Sequence, residues 1–345
     1  METKRAGFSP PGPSGSVPAL MRISTFLPHV GVFGGVRRFL ELGNEWVECG
    51  HEVTLYHPEG SPPAWLEYRG RVAPLSAAAS AESDAAFCAD PHTYEAFRAH
   101  RAARHVYYCV IEGDEGLRRA LADPLVTLAA NSGALRSSIA ARTGRPVLDG
   151  VGGIRTTFFR PDPARRAAAP LRVLVNGRRS RPKKGTDLVL RALASLAGRV
   201  PPFEIVLFDS VDAHNRQDPR DGAPLPPNAR FVLGPSQDEL LALYQSSHLF
   251  VAAERKAGWC NTALEAMACG CAVVCTRSGT RDFARHGDNA LLSWRHEWFL
   301  APAIARVLRD DALRERLGAA GPTSAAPWAW PVLAEKLLAQ VDGRK

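Results

Sequence analysis

Apolar and polar positions along the chain follow one another in a pattern that predicts short strands joined by amphipathic helices. The first apolar run is RISTFL at 22–27, and the next is HEVTLYH at 51–57. Between them a glycine-rich turn, GVFGGV, leads into a helical pattern that ends at Gly50. This order predicts a β-loop-α-β unit whose first turn lets the backbone approach a ligand closely.

The pattern is weaker from residue 61 to about 125, where SPPAW is expected to be a loop. Later segments predict a strand and turn in DAAFCADPHTY, a helix in EAFRAHRAAR and a strand in HVYYCVI. PLVTLAANS predicts a further strand, and GALRSSIAARTG predicts a helix that ends at Gly144. The Pro-, Arg- and Ala-rich stretch near 160–170 is typical of an interdomain linker.

A second alternation of strands and helices begins at Leu171. Its predicted strands are LRVLVN, FEIVLFDS, RFVLG and HLFVAA. Its predicted helices are TDLVLRALASLAGRV, SQDELLALYQSS capped by Ser236, one in NTALEAMACG before the strand CAVVC, the long segment EWFLAPAIARVLRDDALRERLGAAG, and a final PWAWPVLAEKLLAQV. The predicted fold class is therefore α/β, with two doubly wound Rossmann-like halves and a ligand cleft at the carboxyl ends of their strands.

Four regions follow from these patterns. Residues 1–20 are rich in Pro, Gly and Ser and are expected to be a disordered tail. We expect an N-terminal domain over 21–162, a C-terminal domain over 163–325, and a helix in 326–345 that crosses back to the N-terminal domain. The linker near 160–170 is expected to act as a hinge when the two halves close on a ligand.

The amino-acid composition excludes few classes of function. The chain has 345 residues and a formal net charge of +8, from 43 basic and 35 acidic residues. Its arginines are scattered, so the charge weakly favours an anionic partner, and no segment interleaves basic and aromatic residues as nucleic-acid binding would require. No apolar run approaches the roughly 20 residues that span a bilayer, and we find no signal peptide, so a soluble cytoplasmic protein is expected. Peripheral membrane contact and the oligomeric state stay open.

Seven cysteines, an odd number, fit a reducing compartment better than a disulfide framework. Cys260, Cys269, Cys271 and Cys275 lie close together in the sequence, but their spacing matches no paired C-x-x-C zinc arrangement. We therefore interpret them as small buried hydrophobic residues and expect no metal site.

The segment NGRRSRPKKG follows one predicted strand and precedes a helix, which places it at the carboxyl edge of the second sheet. Guanidinium and ammonium groups at this edge suit a phosphate or diphosphate, whereas the alternative is a solvated basic loop. The cations concerned are Arg178, Arg179, Arg181, Lys183 and Lys184.

The segment AGWCNTALEAMACGCAVVCTRSG, from Ala257 to Gly279, carries a lone carboxylate, Glu265. Thr262 and Glu265 have the spacing of a capping box, which would make both residues structural. Alternatively, the helix amides bind a diphosphate and Glu265 accepts hydrogen bonds from sugar hydroxyls. Gly258 would allow close backbone approach in either case, and spacing alone leaves both interpretations open.

The motifs occur together, and in the same order, in one enzyme family. The chain resembles the retaining glycosyltransferases of the GT-B fold, family four in the usual classification, over nearly its whole length after residue 20. The resemblance implies transfer of a sugar from a nucleotide-sugar donor of UDP or GDP type to an acceptor hydroxyl, with retained configuration. The segments that carry it are GVFGGVRRFLELGNEWVECGHEVTLY, NSGALRSSIAARTGRPVLDGVGGIRTTFFRP, NGRRSRPKKGTDLVLRAL, GWCNTALEAMACGCAVV and PWAWPVLAEKLL.

The resemblance also implies roles for individual residues. Lys184 would bind the donor phosphates together with one arginine: the family spacing favours Arg179, and the preceding glycine favours Arg178. Glu265 would hold the ribose hydroxyls. The remaining implied donor-side positions are Gly34, Gly35, Gly234, Gly258, Asn261 and Thr262.

The first departure from the family pattern lies eight residues before Glu265. The family usually has a second Glu there, in contact with the transferred sugar, and this chain has Ala257. Glu254, three residues earlier, could take its place only through a rearranged loop, which we do not expect. The resemblance therefore leaves open which residue contacts the transferred sugar.

The second departure concerns a His that the family often carries near the reacting carbon. Phe87 and Ala89 occupy that region here, and His92 is the remaining catalytic candidate. No Asp-x-Asp is present, so fixed cations rather than a metal are expected to stabilise the leaving diphosphate, with no cofactor.

Three alternatives to a transferase stay open. A nucleotide-sugar epimerase would share the fold, and a degenerate member would bind nucleotide without transferring sugar because of Ala257. A nicotinamide-dependent enzyme would share the α/β architecture. The glycines around Gly34 and Gly35 do not spell G-x-G-x-x-G, however, which argues against this last class.

Overall fold

The computed structural model describes residues 20–111, 113, 115–166, 170–211 and 218–343. All but the last residue of the predicted tail lies outside this set, as does part of the predicted linker. The described chain is built around two parallel sheets, each wrapped by helices, which confirms the α/β expectation.

The first sheet has the strand order β3-β2-β1-β4-β5-β6-β7, and every neighbouring pair is parallel. Its central strands are buried on both faces, as expected for a sheet covered by helices on each side. The strands are β1 (Arg22–Phe26), β2 (Glu52–His57), β3 (Arg71–Pro74), β4 (Glu82–Cys88), β5 (Arg101–Cys109), β6 (Val126–Ala130) and β7 (Val147–Asp149).

The second sheet has the order β10-β9-β8-β11-β12-β13, again entirely parallel. In both sheets the order reverses beside the first strand, and the crevice at such a switch point is where α/β proteins bind ligands. The strands are β8 (Leu171–Asn176), β9 (Phe203–Asp209), β10 (Ala229–Leu233), β11 (Leu249–Ala252), β12 (Ala272–Cys275) and β13 (Leu291–Leu292).

Helices connect the strands and cover the sheet faces. Those of the first half are α1 (Gly34–Glu48), α2 (Tyr94–Ala99), α3 (Glu115–Ala122) and α4 (Gly133–Thr143). Those of the second half are α5 (Thr186–Ala194), α6 (Gln237–Gln245), α7 (Asn261–Ala268), α8 (Glu297–Arg309) and α9 (Asp311–Ala325). Helix α10 (Trp330–Val341) follows them in the chain.

The structure differs from the predicted elements where the apolar pattern is short or interrupted. Strand β3 and helix α3 were not predicted, because the first has four residues and the second presents much of its surface to solvent. The long helix predicted from Glu297 onward is two helices, α8 and α9. Asp310 separates them, because its carboxylate accepts a hydrogen bond from Leu313 N at 2.9 Å and so caps the second helix.

The predicted domain boundary near 162 is later than the boundary of the packing. Strand β7 ends at Asp149, and Val151, Ile154 and Phe159 already pack into the core of the second sheet. These residues therefore pack with the C-terminal half, although they precede β8, the first strand of its sheet.

Helix α10 lies on the first sheet although it ends the chain. It packs against α1, where Trp46 Nε1 donates to Ala334 O at 3.2 Å. Lys336 Nζ also lies 3.0 Å from Asp149 Oδ1 at the end of β7. Leu333 and Leu337 are buried in the same hydrophobic cluster as Trp46, so this last segment completes the N-terminal core.

The clustered cysteines are buried and unbridged. Burial raises the pKa of the Cys271 and Cys275 thiols to about 12, so both remain neutral near physiological pH. This confirms their interpretation as small buried hydrophobic residues. In the described residues we find no helix with the length and apolarity needed to cross a membrane.

Candidate active site

A cavity of about 790 Å³ lies between the two sheets, at the carboxyl ends of their strands. One wall comes from the loop before α1 and from the ends of β5 and β6. The other comes from the segments that follow β8, β9, β10 and β11. Its size is within the range of about 300–1,000 Å³ that is usual for small-molecule sites.

The basic loop after β8 supplies four cations to the cavity wall: Arg178, Arg181, Lys183 and Lys184. Arg178 is held by two hydrogen bonds to the Asp209 carboxylate, at 2.6 and 2.7 Å. The partner Asp209 ends strand β9, so the fork of Arg178 is aimed by the sheet itself.

Arg179 does not line this cavity among the described residues. Its side chain is buried on the other side of the loop, where Nε donates to Asp187 Oδ1 at 2.7 Å. The structure thus separates the two arginines that the sequence left equivalent, and Arg178 is the one that faces the cleft.

Lys184 is paired with Glu254, whose Oε1 lies 2.8 Å from Nζ. Burial by itself lowers the pKa of Lys184, but the carboxylate of Glu254 more than offsets this, so the pKa is raised above its usual value. Burial, with the positive charge of Arg181 and Lys184 nearby, lowers the pKa of Lys183. The loop therefore concentrates positive charge that favours an anion.

Gly185 fixes this loop against strand β11. Its φ is +77°, and a Cβ at this position would lie 2.2 Å from Ala253 O. A side chain here would be strained by both the left-handed backbone and the contact, so the loop can approach β11 this closely only with glycine.

Two helix N-termini meet at the cavity without side-chain caps. Helix α1 begins after Phe33 and helix α7 after Cys260, and neither preceding residue forms a capping hydrogen bond. They are adjacent: a Cβ on Gly34 would lie 3.3 Å from Asn261 Nδ2. For the first amides of both helices, those of Gly34, Gly35, Asn261 and Thr262, we find no partner among the described residues, so they are available to an anion placed between them.

The proposed capping box of Thr262 and Glu265 is wrong. The helix begins at Asn261, so Thr262 lies inside its first turn and cannot act as the N-cap. Glu265 instead lines the cavity, accepting hydrogen bonds from Arg37 Nη1 at 3.3 Å and Tyr244 OH at 2.9 Å. Burial and the negative charge of Glu265 raise the pKa of Tyr244 well above its usual value, so its hydroxyl stays protonated and donates.

Glu254 corrects a second expectation. We expected it to be absent from the site, yet it is buried, lines the cavity beside Ala257 and pairs with Lys184. Glu254 lies two residues after the end of β11, and its pairing with Lys184 holds its carboxylate at the cavity wall. Further along the same loop, Lys256 has a φ of +62°, which is rare for a residue with a side chain.

The remaining candidates fall in different places. Gly35 and Gly234 line the cavity, and a Cβ on Gly234 would meet open space. Gly258 lies between the two halves, where a Cβ would be 2.4 Å from Val110 O, so the lack of a side chain allows close packing across the cleft.

His92 is exposed on the turn Pro91–Thr93 and is not among the residues of the cavity wall, so its position does not support a catalytic role.

Arg37 is the principal site residue that the sequence pattern did not reveal. It projects from α1 across the cleft, where Nη2 donates to Gln237 Oε1 at 2.7 Å and Nη1 donates to Glu265. Only its position one turn after the glycine-rich loop could have suggested this role. Its partners are 200 and 228 residues away in the chain.

Three polar atoms around the α7 N-terminus are buried, and we find no hydrogen-bond partner for them among the described residues. They are Asn131 Oδ1, Asn261 Oδ1 and Trp259 Nε1. Buried polar atoms are normally paired, so these three atoms at the seam have hydrogen-bonding capacity left over.

Comparison with known proteins places this geometry in a family. Residues 164–324 match the model described as glycosyl transferases group 1. The D-inositol 3-phosphate glycosyltransferase of Corynebacterium jeikeium is 30% identical over 45% of this chain and 39% of its own length. The GDP-mannose-dependent alpha-(1-6)-phosphatidylinositol monomannoside mannosyltransferase of Mycobacterium tuberculosis is 29% identical over 54% of this chain and 53% of its own length. The matches thus span about half or less of these relatives.

Solved structures share the fold of nearly the whole chain. Sucrose-phosphate synthase from Thermosynechococcus elongatus superposes with a TM-score of 0.75 at 16% identity, covering 94% of this chain and all of that one. Anabaena HepE in complex with UDP and glucose gives the same TM-score at 15% identity, with the same coverage. The chain has the GT-B fold, and residues 164–324 are similar to the glycosyl transferases group 1.

Proposed function

We propose that this protein is a glycosyltransferase that moves a sugar from a nucleotide-sugar donor to an acceptor hydroxyl. The observation that carries the proposal is the convergence of Arg178, Lys184 and the uncapped N-termini of α1 and α7 on one interdomain cavity. Fixed cations and aimed amides are what a departing diphosphate needs, because negative charge develops on it as the sugar leaves.

The donor would lie with its diphosphate between these groups and its ribose near Glu265. A UDP or GDP donor fits the comparisons, since HepE was solved with UDP and the mannosyltransferase relative is named as GDP-mannose-dependent. Binding a ribose at Glu265 requires Arg37 to share or release that carboxylate, so donor entry is coupled to the contact between the two halves.

The chemistry we propose proceeds with retention and without a metal. The bond from the anomeric carbon to the diphosphate oxygen breaks, and a bond to the acceptor oxygen forms on the same face of the sugar. The acceptor proton passes to the departing phosphate oxygen, so no enzymic base is required. Arg178 and Lys184 stabilise the charge of the leaving group.

Glu254 takes the place of the carboxylate missing at Ala257 in this proposal. It is a buried acid of the cavity wall, and one of its carboxylate oxygens, Oε1, pairs with Lys184, so the other can accept a hydrogen bond from a sugar hydroxyl. Its pairing with Lys184 would hold it in position until the donor enters.

The experiment that tests the proposal is donor turnover by Lys184→Ala. We expect the turnover number to fall about a hundredfold or more, because a fixed charge opposite the leaving group is lost. Since this change leaves Glu254 buried and unpaired, Lys184→Ala/Glu254→Ala should be measured beside it, with thermal unfolding of both. Arg191→Ala, on an exposed ion pair with Glu297, is the matched control. Near-normal turnover in both Lys184 variants would refute the charge-stabilisation account.

Ala257 keeps two other functions open: a nucleotide-binding member that no longer transfers sugar, and an enzyme that epimerises the sugar. Calorimetry with UDP and GDP, paired with turnover of nucleotide sugars, separates these cases. Tight binding without turnover favours the degenerate member, and altered sugar without any acceptor favours an epimerase. The anomeric configuration of a transferred product, read by NMR with and without EDTA, tests retention and metal independence.

A further inference from the structure

The two walls of the cavity differ in chemistry. The C-terminal wall is charged and polar, as described for the cation loop, Glu254, Glu265 and the start of α7. The N-terminal wall is largely apolar. Its apolar members are Val32, Phe33, Ala64, Trp65, Val110 and Ile111.

Three of the apolar side chains of the N-terminal wall are exposed: Val32 and Phe33 are each 42% exposed, and Ile111 is 41% exposed. Trp65 and Val110 are partly buried and pack against the N-terminal core. Single exposed hydrophobic residues are ordinary, but several grouped along one wall of a cavity are typical of a binding surface. They come from the loop before α1 and from the segment after β5, so the chain brings them together only at the cleft.

The cations of this wall are already engaged. Arg37 binds Glu265 and Gln237, and its guanidinium lies over the Trp65 ring at 5.4 Å. Arg38 is buried, donating to Tyr108 OH at 2.8 Å. Among the described residues of this wall we find no other cation. The amides at the start of α1 also lie on this wall, and the proposed function assigns them to the donor diphosphate, so a phosphate on the acceptor would have to compete with the donor for them.

We infer that the acceptor is an alcohol with a mainly apolar body, which packs against Phe33, Trp65 and Ile111, and not a phosphorylated polyol. This rests on the proposed function, in which the cation loop and the starts of α1 and α7 take the donor diphosphate. The apolar wall contributes the acceptor's binding energy, and its hydroxyl is left directed toward the donor sugar across the cleft.

Binding and turnover of a homologous series test the inference. Phenylalkanols with one to six methylenes should bind more tightly, by calorimetry without donor, by up to about fourfold for each added methylene. The KM for the same alcohols in the presence of donor should fall in parallel. D-inositol 3-phosphate, the comparison acceptor, should bind weakly or not at all.

Two variants test whether the alcohols bind at the N-terminal wall. Ile111→Ala should raise both the Kd and the KM of the longest alcohol by about tenfold, while leaving the Kd of UDP or GDP unchanged. The control variant Leu125→Ala removes an aliphatic side chain that is 75% exposed elsewhere on the N-terminal half. It is expected to leave both the Kd and the KM of the alcohol unchanged.

The outcomes separate this inference from the proposed function. If affinity is independent of chain length, if Ile111→Ala behaves as Leu125→Ala does, or if inositol phosphate is the better ligand, the apolar acceptor is refuted. If neither UDP nor GDP binds, the transferase is refuted, and a surviving chain-length dependence then still supports the apolar site on its own.

Discussion

At the scale of residues, the site depends on which side of a loop each charge faces. Arg178 and Arg179 are adjacent in the sequence, yet Asp209 directs the first toward the cavity and Asp187 holds the second away from it. Glu254 similarly lies in the site, where its carboxylate pairs with Lys184. The residue type therefore sets the available chemistry, and the ion-pair partner decides which of two similar residues faces the cavity.

Glu254→Gln should change donor binding in a direction that only its charge explains. The variant removes a negative charge 2.8 Å from Lys184, so UDP or GDP should bind about tenfold more tightly as the lysine becomes available to the diphosphate. Sugar transfer should nevertheless fall, because the amide is a weaker partner for a sugar hydroxyl.

Calorimetry and turnover measured on the same preparation check both effects of Glu254→Gln. Glu204→Gln is the matched control, because Glu204 pairs with Arg172 and takes no part in the cavity wall. Nucleotide affinity equal to that of the control would contradict the role assigned to Glu254.

At the scale of elements, helix ends supply much of the proposed site. Helices α1 and α7 lack side-chain caps at the cavity, whereas α6, whose start also borders it, has a complete capping box between Ser236 and Glu239. The uncapped ends cost local stability, since each leaves amides without partners. We interpret the absence of caps as a requirement of ligand binding, because a side-chain cap would occupy the amides that bind the ligand.

The glycine at the start of α5 provides a test at this scale. Gly185 and Gly144 both have a left-handed backbone, with φ of +77° and +65°, but a Cβ on Gly144 meets open space. Gly144→Ala should lower the free energy of unfolding by about 1–2 kcal/mol from backbone strain alone. Gly185→Ala should cost clearly more, because its Cβ would overlap Ala253 O.

Urea unfolding of the two alanine variants measures this difference, and nucleotide calorimetry should show weaker binding only for Gly185→Ala, whose strain displaces the cation loop. Equal losses of stability, with unchanged nucleotide affinity, would show that the loop does not depend on the contact with β11.

At the scale of the whole molecule, contacts across the cleft hold the two halves together. Arg37 spans it to reach Glu265 and Gln237, and Gly133 N donates to the Asp282 carboxylate at 3.1 and 3.2 Å. Helix α10 returns to the first sheet and links the chain end to Asp149. Opening of the cleft must therefore break polar contacts made by α1 and α4 with the opposite half.

Arg37→Ala should open the cleft when no nucleotide is bound. The radius of gyration, about 20 Å for a compact chain of this length, should rise by roughly 1 Å in small-angle X-ray scattering as the bridge to Glu265 and Gln237 is lost. Arg22→Ala is the control, because its ion pair with Glu82 lies within the N-terminal half. An unchanged radius would show that Arg37 does not set the resting position of the halves.

The sequence by itself determined the α/β class, the two-sheet plan and most of the segments that form the site. These follow from local causes: alternating apolar runs, glycine-rich turns and basic residues directly after a strand. The tertiary structure decided what depends on contacts between distant segments. It paired Glu265 with Arg37, chose Arg178 over Arg179, brought Glu254 into the cleft and separated the apolar wall from the charged one, because none of these contacts is encoded in the spacing of neighbouring residues.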